Sequence, residues 1–144
     1  MILVDANVAV KWFLPEPLSE AAEELLRTRD VLVAPDLIRV EVASAITRRF
    51  RRGELTATES NEIVGLWVDV LKKGALNIYP ALDDLKEAGR LSVELRHAIQ
   101  DCLYLAMAIR MGARFVTADR VFAEKAAPIY PAVELLGGQR SHKA

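Results

Sequence analysis

The fold is decided by residues 98–119, which read Ala-Ile-Gln-Asp-Cys-Leu-Tyr-Leu-Ala-Met-Ala-Ile-Arg-Met-Gly-Ala-Arg-Phe-Val-Thr-Ala-Asp. The first part predicts a helix with Asp101 in its first turn, and Gly112 is typical of the residue just after a helix end. None of the eight residues after Asp101 is charged, so we expect this helix to be buried on most of its surface. Residues 113–117 favour a strand, and Asp119 follows it. A buried helix that leads directly into a buried strand is typical of the centre of an α/β sandwich.

Strand and helix patterns alternate along the rest of the chain. Short apolar or β-branched runs predict strands at residues 1–4, 31–34 and 76–79, with a last, weak strand inside 129–136. Helical spacing occurs between these runs. Such alternation predicts a parallel sheet with helices on both faces, so the fold class is α/β.

Three helix starts contain side chains that can cap the first turn. Ser19 and Asp36 lie where helical patterns begin, and their side-chain oxygens can accept amide hydrogen bonds there. Thr56, with Glu59 three residues later, fits a capping box. In the helix after Asp36, the spacing places Val40 on the apolar side.

Length and composition describe one domain that needs no disulfide. The chain has 144 residues, and its only cysteine, Cys102, lies in the most apolar stretch. We assign 1–136 to a single domain and 137–144 to a polar tail. The net charge of −1, from 19 basic and 20 acidic residues, neither indicates nor excludes a nucleic-acid partner. The sequence has no apolar run of membrane-spanning length and no basic leader, so we expect a cytoplasmic protein.

Four carboxylates stand out by their positions. Asp5 ends the first strand, Glu41 lies inside a helix, Asp101 opens the buried helix, and Asp119 ends the next strand. If the strands of Asp5 and Asp119 are neighbours, these acids converge at one edge of the sheet. Two unit charges about 5 Å apart repel by roughly 3 kcal/mol at an effective dielectric near 20, so the cluster needs a cation or protons. An all-oxygen cluster suits Mg²⁺ or Mn²⁺ better than Zn²⁺.

Each acid taken alone has a simpler interpretation. An aspartate after a strand, such as Asp5 or Asp119, is most often a helix cap. Glu41 alone would be a solvated helix residue, and Asp101 alone would interact with the helix dipole. A buried, unpaired Asp101 would be costly, however, and the spacing of all four acids together favours a functional site.

Four motifs, in this order, resemble the PIN-domain family, and within it the VapC-type ribonuclease toxins of toxin–antitoxin pairs. They are Val4-Asp5-Ala6-Asn7, residues 35–43, residues 100–108 and residues 116–122. The resemblance covers nearly the whole of 1–136. It implies a three-layer α/β/α sandwich with a five-stranded parallel sheet. It also implies a Mg²⁺- or Mn²⁺-dependent endoribonuclease that forms a homodimer and binds a cognate antitoxin.

The same resemblance implies roles for the four acids. Water would hydrolyse an RNA phosphodiester by in-line attack, assisted by the metal. Asp5 and Asp101 would be the principal metal ligands, with Asp119 bound directly or through water. Glu41 would also act at the metal, and would position the attacking water or act as the general base.

Three further side chains lie close to these acids in the sequence. Thr117 matches the hydroxyl position of the family, and Asn7 matches a polar position to which we assign supporting hydrogen bonds. His97 precedes Asp101 by one helical turn, so it can reach the rim of the site. The simpler interpretation of His97, favoured here, is a polar residue in the connection before the helix.

Basic residues suggest where RNA would bind. The densest cluster comprises Arg48, Arg49, Arg51 and Arg52 at the end of the Glu41 helix. It is either a solvated helix end, stabilised by the dipole, or a set of phosphate contacts. Lys11 and Arg39 lie near two of the acids in sequence and are further candidates for substrate contact.

Two other functions compete with a nuclease. A non-catalytic RNA- or protein-binding module could retain a PIN-like fold, but it would have no reason to keep all four acids. A phosphatase of the haloacid-dehalogenase type also begins with a strand and an aspartate. That chemistry requires Asp-x-Asp, whereas the position two residues after Asp5 is Asn7.

Overall fold

A computed structural model describes residues 1–138 of the chain. Its five strands form one parallel sheet in the order β3-β2-β1-β4-β5. The strands are β1 (Ile2–Val4), β2 (Leu32–Pro35), β3 (Asn77–Tyr79), β4 (Arg114–Thr117) and β5 (Val133–Leu135). The predicted parallel α/β sheet is confirmed. Most of the predicted polar tail, residues 139–144, lies outside the described residues.

Seven α-helices flank the sheet in the described part of the chain, which completes the three-layer α/β/α sandwich. They are α1 (Ala6–Ala9), α2 (Ser19–Arg27), α3 (Ile38–Arg51), α4 (Ala57–Lys73), α5 (Leu85–Leu95), α6 (Ile99–Met111) and α7 (Arg120–Ala126). Short 3₁₀ turns, Val10–Trp12 and Ala81–Asp84, precede α2 and α5. Within residues 1–138, no helix is both long and apolar enough to cross a bilayer.

Helix α6 is the central element, as predicted. Every residue from 102 to 108 is buried, and the helix contacts β1, β2 and β4. It ends at Gly112, whose φ of +64° is the left-handed conformation that glycine adopts without strain. The Ala113 amide donates to the Ala108 carbonyl at 3.0 Å, and the chain then enters β4 directly. This tight connection sets α6 against the strand that follows it.

Strands β1 and β4 lie side by side at the centre of the sheet. Leu3 pairs with Phe115 and Val4 with Val116, and the amide of Asp5 donates to the carbonyl of Val116 at 3.0 Å. Because both strands run in the same direction, the residues that follow them emerge at the same edge. This was the condition under which the four predicted acids would converge.

Two of the predicted helix caps are wrong. The residue before α2 is Leu18 in a left-handed conformation, and Ser19 instead accepts from the amide of Glu16 at 3.0 Å. The carboxylate of Asp36 accepts from the amide of Ala81, which lies 45 positions away, at 3.1 Å. The competing partner in each case is an amide outside the helix. The capping box at the start of α4 is confirmed.

The buried side of α3 also differs from the prediction. Ile38, Val42 and Ile46 are fully buried, whereas Val40 is 69% exposed. The buried positions recur every four residues, which points a different face of the helix toward the sheet. Glu41 borders this face and is half-buried, so its side chain can reach α6.

Candidate active site

Asp5 and Thr117 form the centre of the site, at the carboxyl ends of β1 and β4. The hydroxyl of Thr117 donates to Oδ2 of Asp5 at 2.8 Å, and both residues are buried. The same hydroxyl oxygen accepts from the amide of Asp119 at 3.1 Å and from Nδ2 of Asn7 at 3.3 Å. A hydroxyl has one hydrogen to donate and two lone pairs, so these three contacts use it completely. The hydrogen of Thr117 is therefore fixed toward Asp5.

Asn7 connects the two strand ends. Besides its bond to Thr117, its Oδ1 accepts from the amide of Ala118 at 2.9 Å. The side-chain amide thus holds the turn that leads from β4 to Asp119. Asn7 and Thr117 thus hydrogen-bond to each other and to groups beside Asp5 and Asp119, and their predicted role in supporting metal ligands stays a prediction. Because the amide is already used for these bonds, Asn7 is also poorly suited to the general-acid role of a haloacid-dehalogenase site.

Asp119 serves two purposes. Its Oδ1 accepts from the amide of Phe122 at 3.0 Å, so the cap predicted by the simpler interpretation is present at the start of α7. One ligand atom of Asp119 also lies within 4.8 Å of one from Asp101 and one from His97. In residues 1–138 this is the only such group of three potential metal ligands, and Asp5 and Glu41 lie outside it.

Glu41 reaches the site from α3 and is held there by a residue of α6. The phenol of Tyr104, which is fully buried, donates to Oε1 of Glu41 at 2.6 Å. Sequence reasoning missed Tyr104, although it follows Asp101 by three positions and so shares its helix face. That spacing was the available signal.

Three of the acids interact electrostatically. Burial raises the pKa of Asp5 to about 7, the hydrogen bond from Thr117 opposes this increase, and the charges of Asp101 and Glu41 add to it. Burial also raises the pKa of Glu41, the Tyr104 hydrogen bond lowers it, and the charge of Asp101 raises it. Asp5, Glu41 and Asp101 therefore share one negative field, as predicted, although they come from three distant segments.

No lysine or arginine in the described part of the chain forms an ion pair with any of the four acids. Asp101 has only His97, at 2.7 Å, and none of the other three appears in a salt bridge. The donors are carboxylate oxygens, and the charge of Asp101 raises the pKa of both Asp5 and Glu41, which is the chemistry of a site for a hard divalent cation. The residues present therefore fit a divalent metal.

His97 lies at the rim of the site, so its interpretation as a residue of the connection alone is incomplete. Its Nε2 is 2.7 Å from Oδ2 of Asp101, and its ring stacks on that of Phe122 with centroids 4.5 Å apart. The side chain is half-buried. The i, i+4 spacing of His97 and Asp101 was visible in the sequence, but the stacking on α7 was not.

The predicted RNA-contacting residues divide into two groups. Three of them form ion pairs within the protein: Lys11 with Glu16, Arg39 with Asp36, and Arg49 with Glu16 and Glu54. The other three are exposed at or just after the end of α3, and no salt bridge within residues 1–138 engages them: Arg48, Arg51 and Arg52. The second group remains available to a polyanion.

Comparison with known proteins gives a consistent result. The family model described as PIN domain matches residues 2–128. A protein of Pyrobaculum aerophilum, Ribonuclease VapC3, is 34% identical over 125 residues, which span 86% of this chain and 93% of that protein.

Solved structures share the fold at lower identity. PAE2754 from Pyrobaculum aerophilum has a TM-score of 0.67 at 19% identity, with 94% of this chain and 89% of that one covered. The sarcin-ricin loop cleaving toxin VapC20 of Mycobacterium tuberculosis has a TM-score of 0.65 at 14% identity, with coverages of 86% and 94%. VapBC2 from Rickettsia felis, bound to a promoter DNA fragment, gives 0.61 at 19% identity, with coverages of 94% and 97%.

Proposed function

This chain belongs to the PIN-domain family, and we propose that it is a metal-dependent endoribonuclease that acts as the toxin of a toxin–antitoxin pair. One observation carries the proposal. Acids from β1, α3, α6 and the end of β4 approach one edge of the sheet, and no lysine or arginine of residues 1–138 forms an ion pair with them. A structural role would favour paired charges, because unpaired buried carboxylates are costly.

We assign metal binding to Asp5 and Asp101, with Asp119 as a direct or water-mediated ligand and Glu41 nearby. The ion would be Mg²⁺ or Mn²⁺, because every proposed ligand is a carboxylate oxygen. When bound, such an ion supplies Lewis acidity toward the phosphate and toward water.

The remaining steps are carried out by the chain itself. Thr117 fixes Oδ2 of Asp5, and the cap on α7 fixes Oδ1 of Asp119. Tyr104 holds Oε1 of Glu41, which leaves Oε2 to accept a proton from the attacking water. The raised pKa of Glu41 makes it a better base than an ordinary carboxylate.

The partners follow from the family and from the surface. RNA phosphates would contact Arg48 and Arg51, which lie on the same helix as Glu41, and Arg52, which directly follows that helix. The curated relative is named a ribonuclease, and one neighbouring structure is a VapBC pair, which supports an antitoxin partner for this chain. A homodimer is part of the same proposal.

The test is cleavage of defined RNAs by the purified protein. We expect cuts in a panel of tRNA, rRNA and mRNA with Mg²⁺ or Mn²⁺, and none with EDTA. Asp101→Asn should reduce cleavage by roughly 10²-fold or more. Asp69→Asn, which changes an exposed acid of α4, is the matched control and should retain full activity. Full activity of Asp101→Asn would contradict the proposal.

A further inference from the structure

Three side chains form a continuous chain of contacts beside the acidic site. Nζ of Lys125 lies 3.3 Å from Nδ1 of His97, and Nε2 of His97 lies 2.7 Å from Oδ2 of Asp101. Lys125 is on α7, His97 is in the turn between α5 and α6, and Asp101 is on α6. Each ring nitrogen of the imidazole therefore has one partner.

The chemistry of these partners determines the form of the imidazole. A lysine ammonium has three hydrogens and no lone pair, so it can only donate. Nδ1 of His97 must then accept, which means that it carries no proton. The neutral ring therefore holds its proton on Nε2 and donates it to the carboxylate of Asp101.

The same argument decides how His97 relates to a metal. One of its ring nitrogens is close enough to Asp101 and Asp119 to complete a three-ligand group, and Nε2 is the nitrogen that faces Asp101. However, Nε2 could bind a metal only through a lone pair. The proton would then have to move to Nδ1, where it would face the ammonium of Lys125. His97 is thus arranged to donate to a ligand and not to be one.

Both the backbone and the ring of His97 are fixed. The amide of His97 donates to the carbonyl of Ser92 at 3.2 Å, and the hydroxyl of Ser92 donates to the carbonyl of His97 at 2.5 Å. The ring lies against Phe122, and Lys125 also donates to the carbonyl of Arg96 at 3.2 Å. The imidazole is held from the turn, from the side and from α7 before any ligand binds.

We propose that His97 is a positioning residue, which holds Oδ2 of Asp101 through Nε2–H and so leaves Oδ1 for the metal, and that Lys125 supports the required tautomer from Nδ1. The proposal rests on the proposed function in one respect, the assignment of Asp101 as a metal ligand. Mutation of a residue that orients a metal ligand typically weakens metal affinity by about 10–100-fold.

The first experiment measures the tautomer without metal or substrate. His142 is the only other histidine, so a His142→Gln background leaves a single imidazole. At about pH 8, where a free imidazole is neutral, ¹⁵N NMR should show the proton of His97 on Nε2. In an Asp101→Ala background, which removes the carboxylate that also requires a proton on Nε2, Lys125→Met should allow both tautomers, whereas Lys86→Met, a change on the exposed face of α5, should not. A proton found on Nδ1 in the otherwise unchanged protein would overturn the proposal.

The second experiment measures the affinity for Mn²⁺ by calorimetry and electron paramagnetic resonance. His97→Ala should weaken binding about tenfold or more. His97→Gln should recover much of it, because the glutamine amide can place an N–H close to the position of Nε2. If His97 only stacked on Phe122 and had no role at Asp101, His97→Gln would not restore the affinity for Mn²⁺. Thermal unfolding of each variant shows whether the fold is intact.

The outcomes separate this inference from the function beneath it. Equal Mn²⁺ affinities of the unchanged protein and His97→Ala would overturn the positioning role and leave the nuclease proposal intact. Failure of the unchanged protein to bind Mn²⁺ or Mg²⁺ would overturn both.

Discussion

The two ends of the central sheet differ in whether their carboxylates are paired with basic side chains. At the amino end of β4, Arg114 pairs with Glu134 at 2.7 Å and with Asp30 at 3.7 Å, and all three residues are partly exposed. Such ion pairs are typically worth about 0–1 kcal/mol, because water screens them. The charges at this end are balanced by the chain itself.

At the carboxyl end, the acids have only uncharged or weakly basic partners. Asp5 is bound by the hydroxyl of Thr117 and Glu41 by the hydroxyl of Tyr104. Asp101 has only the imidazole of His97. The comparison shows that the carboxyl edge carries an excess of negative charge. This excess destabilises the metal-free protein, and a bound divalent cation would neutralise it.

The largest test of this contrast removes the most buried acid. Without metal, the pKa of Asp5 is about 7 in the folded state against an ordinary value of 3.8. The folded protein thus binds this proton more tightly than the unfolded chain. The resulting stabilisation is complete below about pH 4 and is lost as the pH rises through 7. We expect Asp5→Asn to be more stable than the unchanged protein at about pH 8 in EDTA, by an amount of the order of 3 kcal/mol.

Urea unfolding at about pH 5 and pH 8 measures this effect. Asp5→Asn should lose much less stability across that range than the unchanged protein, and Mg²⁺ should stabilise the latter more. Asp69→Asn on α4 should follow the unchanged protein. A stability difference that is the same at both pH values would mean that Asp5 is not the strained group.

A medium effect is expected where Tyr104 supports Glu41. Tyr104→Phe deletes only the hydroxyl that donates to the carboxylate, so the pKa of Glu41 should rise further. We expect RNA cleavage to fall about tenfold, because Glu41 is no longer held in place and is less ionised at neutral pH, and the acidic limb of the pH–rate profile should move to higher pH. The free energy of unfolding should fall by about 1 kcal/mol.

Tyr130→Phe is the matched control for that variant. It deletes a phenol hydroxyl that donates to the carbonyl of Ala113 at 2.7 Å, away from the acids. Its stability should fall by a similar amount, but its pH–rate profile should not move. If the profiles of the two variants were identical, the Tyr104 hydroxyl would have no role in the chemistry.

The smallest effect is expected at the amino end of the sheet. Arg114→Gln removes both ion pairs, yet they are partly exposed. We expect the free energy of unfolding to fall by less than about 1 kcal/mol and RNA cleavage to be unchanged. Urea unfolding and initial cleavage rates measure the two quantities. A loss of cleavage would show that the two ends are not independent.

Much of the arrangement was predictable because it follows from local pattern. The uncharged run after Asp101 predicts a buried helix, and the position of Asp5 and Asp119 after parallel strands predicts a shared edge. These inferences use only periodicity and strand direction. They are sufficient to predict that Asp5 and Asp119 follow neighbouring strands at one edge of the sheet.

The missed features depend on contacts between distant segments. Asp36 can accept an amide hydrogen bond, but the sequence does not show that the nearest amide belongs to Ala81. In the same way, Lys125 meets His97 across 28 positions of sequence, and Tyr104 meets Glu41 across 63. Side-chain chemistry fixes what a group can bind, whereas tertiary packing decides which partner it finds.

Helix α7 has a consequence beyond its size of seven residues. The amide of Phe122 holds the carboxylate of Asp119, and the ring of Phe122 stacks on the imidazole of His97. Lys125 contacts the same imidazole, which faces Asp101. Two acids from different elements thus share a single mechanical support. A shift of this short helix would displace both carboxylates at once. Movement of α7 would therefore disrupt the site as much as the loss of one acid.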